Sequence, residues 1–145
     1  MSLERPAHIL MVDDSEADRD LVAFAFEDVD AVAELHEACD GAEALAFLRG
    51  EGDFAGKPRP DLILLDLNMP GMDGREFLER MRADPELCDI PVAVMTTSAE
   101  HTDIVRSYGL GANCYVIKPV DLDKLVEVAR ALGEFWFGLV KLPTG

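Results

Sequence analysis

Five short apolar runs, each followed by a stretch of helical spacing, constrain this chain more than any other feature of its sequence. His8–Val12 (HILMV) is a brief apolar run that ends in a polar cluster, as a strand buried on both faces does. Leu62–Leu67 (LILLDL) has the same character more strongly, and Pro91–Met95 and Cys114–Ile117 follow it. Glu34–Cys39 is less apolar and reads as a strand near a sheet edge. Between the runs, Ser15 with Asp18, Asp40 with Glu43 and Asp73 with Glu76 have the spacing of helix N-caps. The first helix is expected to turn Leu21, Phe24, Ala25 and Val29 inward, the second Ala44, Leu45 and Leu48, the third Phe77, Leu78 and Met81. A fourth helix is expected over Ala99–Ser107, and a long helical pattern starts near Asp121. Strands alternating with helices require a parallel sheet covered on both faces, with right-handed crossovers. At this length the doubly wound α/β order 2-1-3-4-5 is the natural solution. Its crevice lies at the carboxyl ends of strands 1 and 3, where the strand order reverses.

Composition narrows the function. Hydrophobic residues make up 49% and charged residues 29% of 145 residues, which suits one globular domain with a full core. Twenty-nine acidic against 13 basic residues give a formal charge of -16, so the surface repels nucleic acid phosphates and no nucleic acid partner is expected. No apolar run approaches the roughly 20 residues that span a bilayer, and Met1–Pro6 carries no secretion signal. Cys39, Cys88 and Cys114 are odd in number and scattered, which fits free thiols in a reducing cytoplasm. The histidines at 8, 36 and 101 are equally dispersed, so a histidine metal site is not expected.

The polar residues at the strand ends carry the chemistry. Asp13 and Asp14 end strand 1, Asp66 lies in the last turn of strand 3, Thr96 ends strand 4 and Lys118 ends strand 5. In a doubly wound sheet all of them meet on one rim. Carboxylates so placed repel, by about 4 kcal/mol for a unit-charge pair 4 Å apart at an effective dielectric near 20. A cation relieves that repulsion, and an all-oxygen site with room for water suits magnesium. Lys118 adds a mobile positive charge. Carboxylates, a cation and a lysine together resemble a phosphoryl-transfer site, in which Asp66 would be the nucleophile.

The motifs VDD at 12–14, DLNMPGMDG at 66–74, MTTS at 95–98 and KP at 118–119 together resemble the response-regulator receiver family, over roughly residues 7–133. The resemblance implies a flavodoxin-like receiver fold. It implies that Asp14 and Asp66 bind magnesium with the backbone carbonyl of Asn68, while Asp13 acts mainly through water. Thr96 would donate its hydroxyl to a phosphoryl group on Asp66, Lys118 would bond a phosphoryl oxygen, and the Lys118–Pro119 peptide would be cis. Met69-Pro70-Gly71 would form a tight turn beside the site. Tyr115 matches the aromatic switch position, turning inward as Thr96 moves toward the phosphoryl group.

Two other readings of DLNMPGMDG fail on its own residues. A haloacid-dehalogenase-like phosphatase needs a general acid two residues after the nucleophile, and Asn68 stands there. A calcium loop needs a bidentate glutamate where Phe77 stands. A degenerate, non-phosphorylated receiver would lack an acid, the lysine or the acceptor, and all are present.

The receiver is expected over residues 1–133, followed by an apolar arm over 134–145 and no output domain. Two apolar registers run through the last segment, Leu122, Leu125, Ala129, Leu132, Trp136, Leu139 and Leu125, Val128, Leu132, Phe135, Leu139. Such a band is wider than one sheet face needs. A homodimer is expected through Leu132, Phe135, Trp136, Phe137 and Leu139. This arm, with the long loop Arg49–Pro60, resembles the single-domain regulators that serve phytochrome-type sensor histidine kinases. A kinase of that kind is the expected partner, with a phosphorelay or chemotaxis-type kinase as the alternative. The chain is read as a phosphoacceptor signalling protein, not an enzyme.

Overall fold

The computed structural model describes residues 7–27 and 32–136. Five parallel strands, β1 (Ala7–Val12), β2 (Val32–Ala38), β3 (Leu62–Leu65), β4 (Val92–Thr96) and β5 (Cys114–Ile117), lie in the order β2-β1-β3-β4-β5. The helices are α1 (Glu16–Phe26), α2 (Gly41–Arg49), α3 (Gly74–Ala83), α4 (His101–Gly109) and α5 (Leu122–Glu134). This is the expected doubly wound sheet, with β2 at its edge.

Alternation along the strands divides the core in two. Leu10, Val12, Ile63, Leu65, Val92 and Val94 pack under α2 and α3 with Leu45, Phe47, Phe77, Leu78 and Met81. Ile9, Met11, Leu62, Leu64, Ala93 and Met95 pack under α1 and α5. The caps form as spaced: Ser15 accepts from the Asp18 amide, Asp40 from Glu43 and Asp73 from Glu76. Each such cap contributes about 1 kcal/mol.

Arg82 locks the far end of α3 to the sheet. Its guanidinium donates to the carbonyls of Gly111, Cys88 and Ile90 and to Asn113 Oδ1. The loop at 50–61 contains a 3-10 turn at Gly52–Phe54. It is tied down by Phe54 against Phe47 and by Arg59, which pairs with Asp89 and donates to the Glu86 carbonyl.

Two faces differ from expectation. On α1 the buried stripe is Val22, Ala25 and Phe26, while Leu21 and Phe24 are exposed; Val29 lies outside the described residues. The segment LVAFAF is apolar most of the way round, so packing against the sheet and α5, not periodicity, chooses the face. On α5, Leu132 and Trp136, expected at a dimer surface, are only 8% and 6% exposed and belong to the chain's own core. They extend the stripe of Leu125 and Ala129, one turn after another. Phe135, one residue round the helix, stays 51% exposed, with its ring edge-on to Trp136. The chain runs helically past Gly133 without a break to Trp136, and Phe137 and Leu139 lie outside the described residues.

Candidate functional site at the strand rim

The strand ladders carry on beyond their last residues and fix the site backbone. The Asp13 amide donates to Ala38, Asp66 to Val12 and Lys118 to Thr96, at 2.7–3.0 Å. Three acids are thereby set on adjacent central strands, and carboxylate oxygens of Asp13, Asp14 and Asp66 lie within 4.8 Å of one another. Asp13 is buried, Asp66 half-buried and Asp14 exposed, so the cluster opens outward at Asp14.

Lys118 reaches across from the end of β5. Its Nζ lies 2.7 Å from Asp13 Oδ2 and 3.0 Å from Asp18 Oδ2. Burial acts to lower the pKa of this ammonium, and the two carboxylates outweigh it, so Lys118 is held above its ordinary value. Asp18 is a partner that sequence reasoning assigned only to helix capping; its place one turn into α1 was the available signal. Arg19 closes the same corner, donating to the Asp13 carbonyl at 2.6 Å.

Burial pushes the Asp66 carboxyl above its usual range, with the Thr96 hydroxyl and the Lys118 charge opposing and Asp13 adding to the rise. The Asn68 amide faces Asp66 Oδ1 at a long 3.4 Å. Thr96 Oγ1 is fully buried beside Asp66 and has no hydrogen-bond partner in bonding geometry. A buried, unbonded hydroxyl costs about 1–3 kcal/mol. The Thr96 hydroxyl lies close enough to the Asp66 carboxyl to hold that group's pKa down, yet outside bonding geometry.

Gly71 (φ 72°) makes the tight turn after Pro70, and Gly74 lets α3 start against the nucleophile. A Cβ at Gly74 would stand 2.4 Å from the Asp66 carbonyl oxygen and 2.8 Å from Leu67 Cα. The motif at 66–74 contains Gly74 but does not reveal this role, since the close approach is made by packing.

Tyr115 is half-buried against the core, with its hydroxyl donating to the Ser98 carbonyl at 2.8 Å. Ser98 Oγ in turn donates to Asp103, which also receives Arg75 at 2.7 Å. Tyr115 is thereby packed on the core with its hydroxyl tied to the loop after β4. The expected cis bond is corrected: among the described residues no peptide bond is cis, Lys118–Pro119 included. An X-Pro trans preference of only about 0.5–1 kcal/mol leaves the isomer to local packing, which the dipeptide does not specify.

The sequence profile described as the response regulator receiver domain matches residues 9–130. The chain belongs to the response regulator receiver family. Among receivers it is 43% identical over 138 residues to response regulator Rcp1 of Synechocystis sp., covering 95% of this chain and 94% of Rcp1. Chemotaxis protein CheY-3 of Vibrio cholerae is 36% identical over 125 residues, 86% of this chain and 90% of that protein. The crystal structure of the phosphorylated cyanobacterial phytochrome response regulator RcpA superposes with a TM-score of 0.90 at 42% identity, covering 96% of this chain and 99% of that one. The Mn2+-bound form of Rcp1 matches with a TM-score of 0.86 at 41% identity, over 96% of this receiver and 100% of that chain. This receiver is thus a response regulator close to phytochrome response regulators. No helix among the described residues is long and apolar enough to cross a membrane.

Proposed function

We propose that Asp66 accepts a phosphoryl group from the phosphohistidine of a phytochrome-type sensor histidine kinase in the cytoplasm, and that the site then hydrolyses it. The observation that carries the proposal is the orphaned Thr96 hydroxyl, buried beside Asp66 in a cluster that also holds Lys118. A carboxylate oxygen of Asp66 attacks phosphorus as the P–N bond to imidazole breaks, giving an acyl phosphate. Thr96 donates to one phosphoryl oxygen, and Lys118 exchanges its contact with Asp13 or Asp18 for another. Water later attacks phosphorus and the Asp66 carboxylate leaves.

The donor set fits a hard divalent ion, being all oxygen and carrying excess negative charge. Asp14 and Asp66 with the Asn68 carbonyl would hold magnesium, Asp13 acting mainly through water, and the ion would supply charge neutralisation at the phosphoryl oxygens. Because the chain turns over only its own phosphoryl group, it acts as a signalling protein and not as an enzyme on an outside substrate.

Similarity to the phytochrome response regulator RcpA, to Rcp1 and to a response regulator in red light signaling of R. palustris supports the choice of kinase. CheY-3 similarity keeps a chemotaxis-type or phosphorelay kinase as the second reading. Phosphotransfer should be timed from a panel of kinases, with the label mapped by peptide. Fastest transfer from a phytochrome-type kinase to Asp66 is expected; fastest transfer from an unrelated kinase overturns the partner, and label elsewhere overturns the acceptor.

Output passes through a two-state surface around β4, β5 and α4. α4 has no side-chain cap and buries only Ser107, so it is weakly fastened. The Tyr115–Ser98–Asp103–Arg75 chain of contacts ties it to α3 and the site. A homodimer through the last helix completes the proposal, with exposed Phe135 in place of Leu132 and Trp136. Tyr115→Phe keeps the ring and deletes one hydrogen bond worth about 1 kcal/mol. Labelling of Asp66 should stay within about two-fold of wild type, while the phosphorylation-linked change in sedimentation weakens. Loss of labelling would remove the switch role.

A further inference from the structure

The histidines that lie 28 residues apart in sequence meet at the opposite end of the sheet from Asp66. Parallel pairing puts His8 opposite Glu34 and Leu10 opposite His36, so His8, Glu34 and His36 project from one face, two strands wide. His8 Nδ1 lies 3.2 Å from His36 Nε2, and Glu34 Oε2 lies 3.8 Å from the first and 3.9 Å from the second. The contact between the imidazoles engages one nitrogen of each ring and leaves the Glu34 carboxylate astride the pair, beyond hydrogen-bond distance of both.

We propose that His8 Nδ1, His36 Nε2 and Glu34 Oε2 form a binding site for a borderline divalent transition metal, zinc being the fitting ion. Tetrahedral zinc holds nitrogen and oxygen at about 2.0–2.2 Å, which sets ligands about 3.3–3.5 Å apart. The three observed separations reach that triangle with small side-chain shifts. Two imidazoles and one carboxylate, with a fourth position open to water, is a zinc ligand set and a poor one for magnesium.

The scaffold is prepared for it. His36 is buried, its ring centroid 5.2 Å from that of Phe47 and 5.4 Å from that of His8. Burial lowers the His36 pKa, with Glu34 opposing. The His8 backbone is held by the hydrogen bond its amide donates to Asp61 Oδ2 at 2.9 Å. Glu34 is exposed and gives the ion its way in. The ion would staple edge strand β2 to β1, roughly 13 Å along the strand from Val12 at the phosphoryl rim.

Zinc binding to the full chain should be measured against a chromophoric chelator, with excess magnesium present to occupy the carboxylate rim. One zinc per chain is expected. His8→Ala and the exposed Glu34→Gln should each weaken it by about ten-fold or more, since loss of a ligand costs at least what loss of its hydrogen-bonding neighbour does. Asp66→Asn should leave it unchanged. X-ray absorption should show nitrogen and oxygen neighbours only. No zinc bound at about 100 μM, unchanged affinity in Glu34→Gln and His8→Ala, loss in Asp66→Asn, or a sulfur shell near 2.3 Å from Cys39 would each overturn the site.

Discussion

Asp66→Asn is expected to abolish phosphoryl uptake and to stabilise the fold at the same time. With a small phosphodonor and magnesium, wild type should label on Asp66 and the variant should fall by about a hundred-fold or more, because an amide oxygen is not a nucleophile. Asp13 cannot substitute, since its carboxylate is engaged by Lys118. Equal labelling would overturn the assignment. The stability gain follows from the raised carboxyl of Asp66, whose first cause is burial. A folded-state pKa above the unfolded value means that the native state prefers the protonated acid. Its favourable contribution is complete below the unfolded pKa and is lost as pH rises through the folded pKa. At neutral pH the ionised Asp66 therefore costs stability, and the neutral isostere relieves about 1 kcal/mol. Urea unfolding without metal should show the gain at pH 7 and its disappearance toward pH 4. A less stable variant at pH 7, or a gain that grows in acid, would contradict the electrostatic account.

The meeting of the rim residues was legible from the sequence because it sits where topology leaves no choice. Asp13, Asp66 and Lys118 follow short apolar strands and Thr96 ends one, and a parallel sheet must bring such ends to one rim. The strands themselves are local signals, and LILL at 62–65 could hardly pack any other way. What sequence did not show is non-local. His8 and His36 meet through the register of β1 on β2, and no spacing within either strand encodes that register. Leu21 and Phe24 lost to Val22 and Phe26 because an almost wholly apolar helix face is chosen by what it packs on. Trp136 is expected as a docking aromatic and is core, since the α5 stripe of Leu125, Ala129 and Leu132 continues one turn further to it. Asp18 was assigned its capping role correctly; its second role depends on where Lys118 arrives from 100 residues away.

Gly74→Ala is the smallest change expected to damage both fold and chemistry. The added methyl group would meet the Asp66 carbonyl oxygen at 2.4 Å, its carbonyl carbon at 3.1 Å and Leu67 Cα at 2.8 Å. All three are backbone atoms, so no side-chain rotation relieves the contact. Either α3 lifts from the sheet, stretching the hydrogen bond that the Gly74 amide donates to Leu67 O, or the end of β3 is driven back. Lifting α3 loosens Phe77, Leu78 and Met81, which are fully buried beneath it. Overpacking of this kind costs about 3 kcal/mol, seen as a lower urea midpoint with an unchanged slope. The second consequence separates a positional effect from simple loss of fold. Asp66 moves relative to Thr96 and Lys118, so phosphoryl uptake by the fraction still folded should drop by about ten-fold or more. Asp73→Ala, which removes the neighbouring cap, should cost about 1 kcal/mol and leave uptake by the folded protein unchanged. If Gly74→Ala lost stability but its folded fraction labelled at the wild-type rate, Gly74 would serve the core and not the position of the nucleophile.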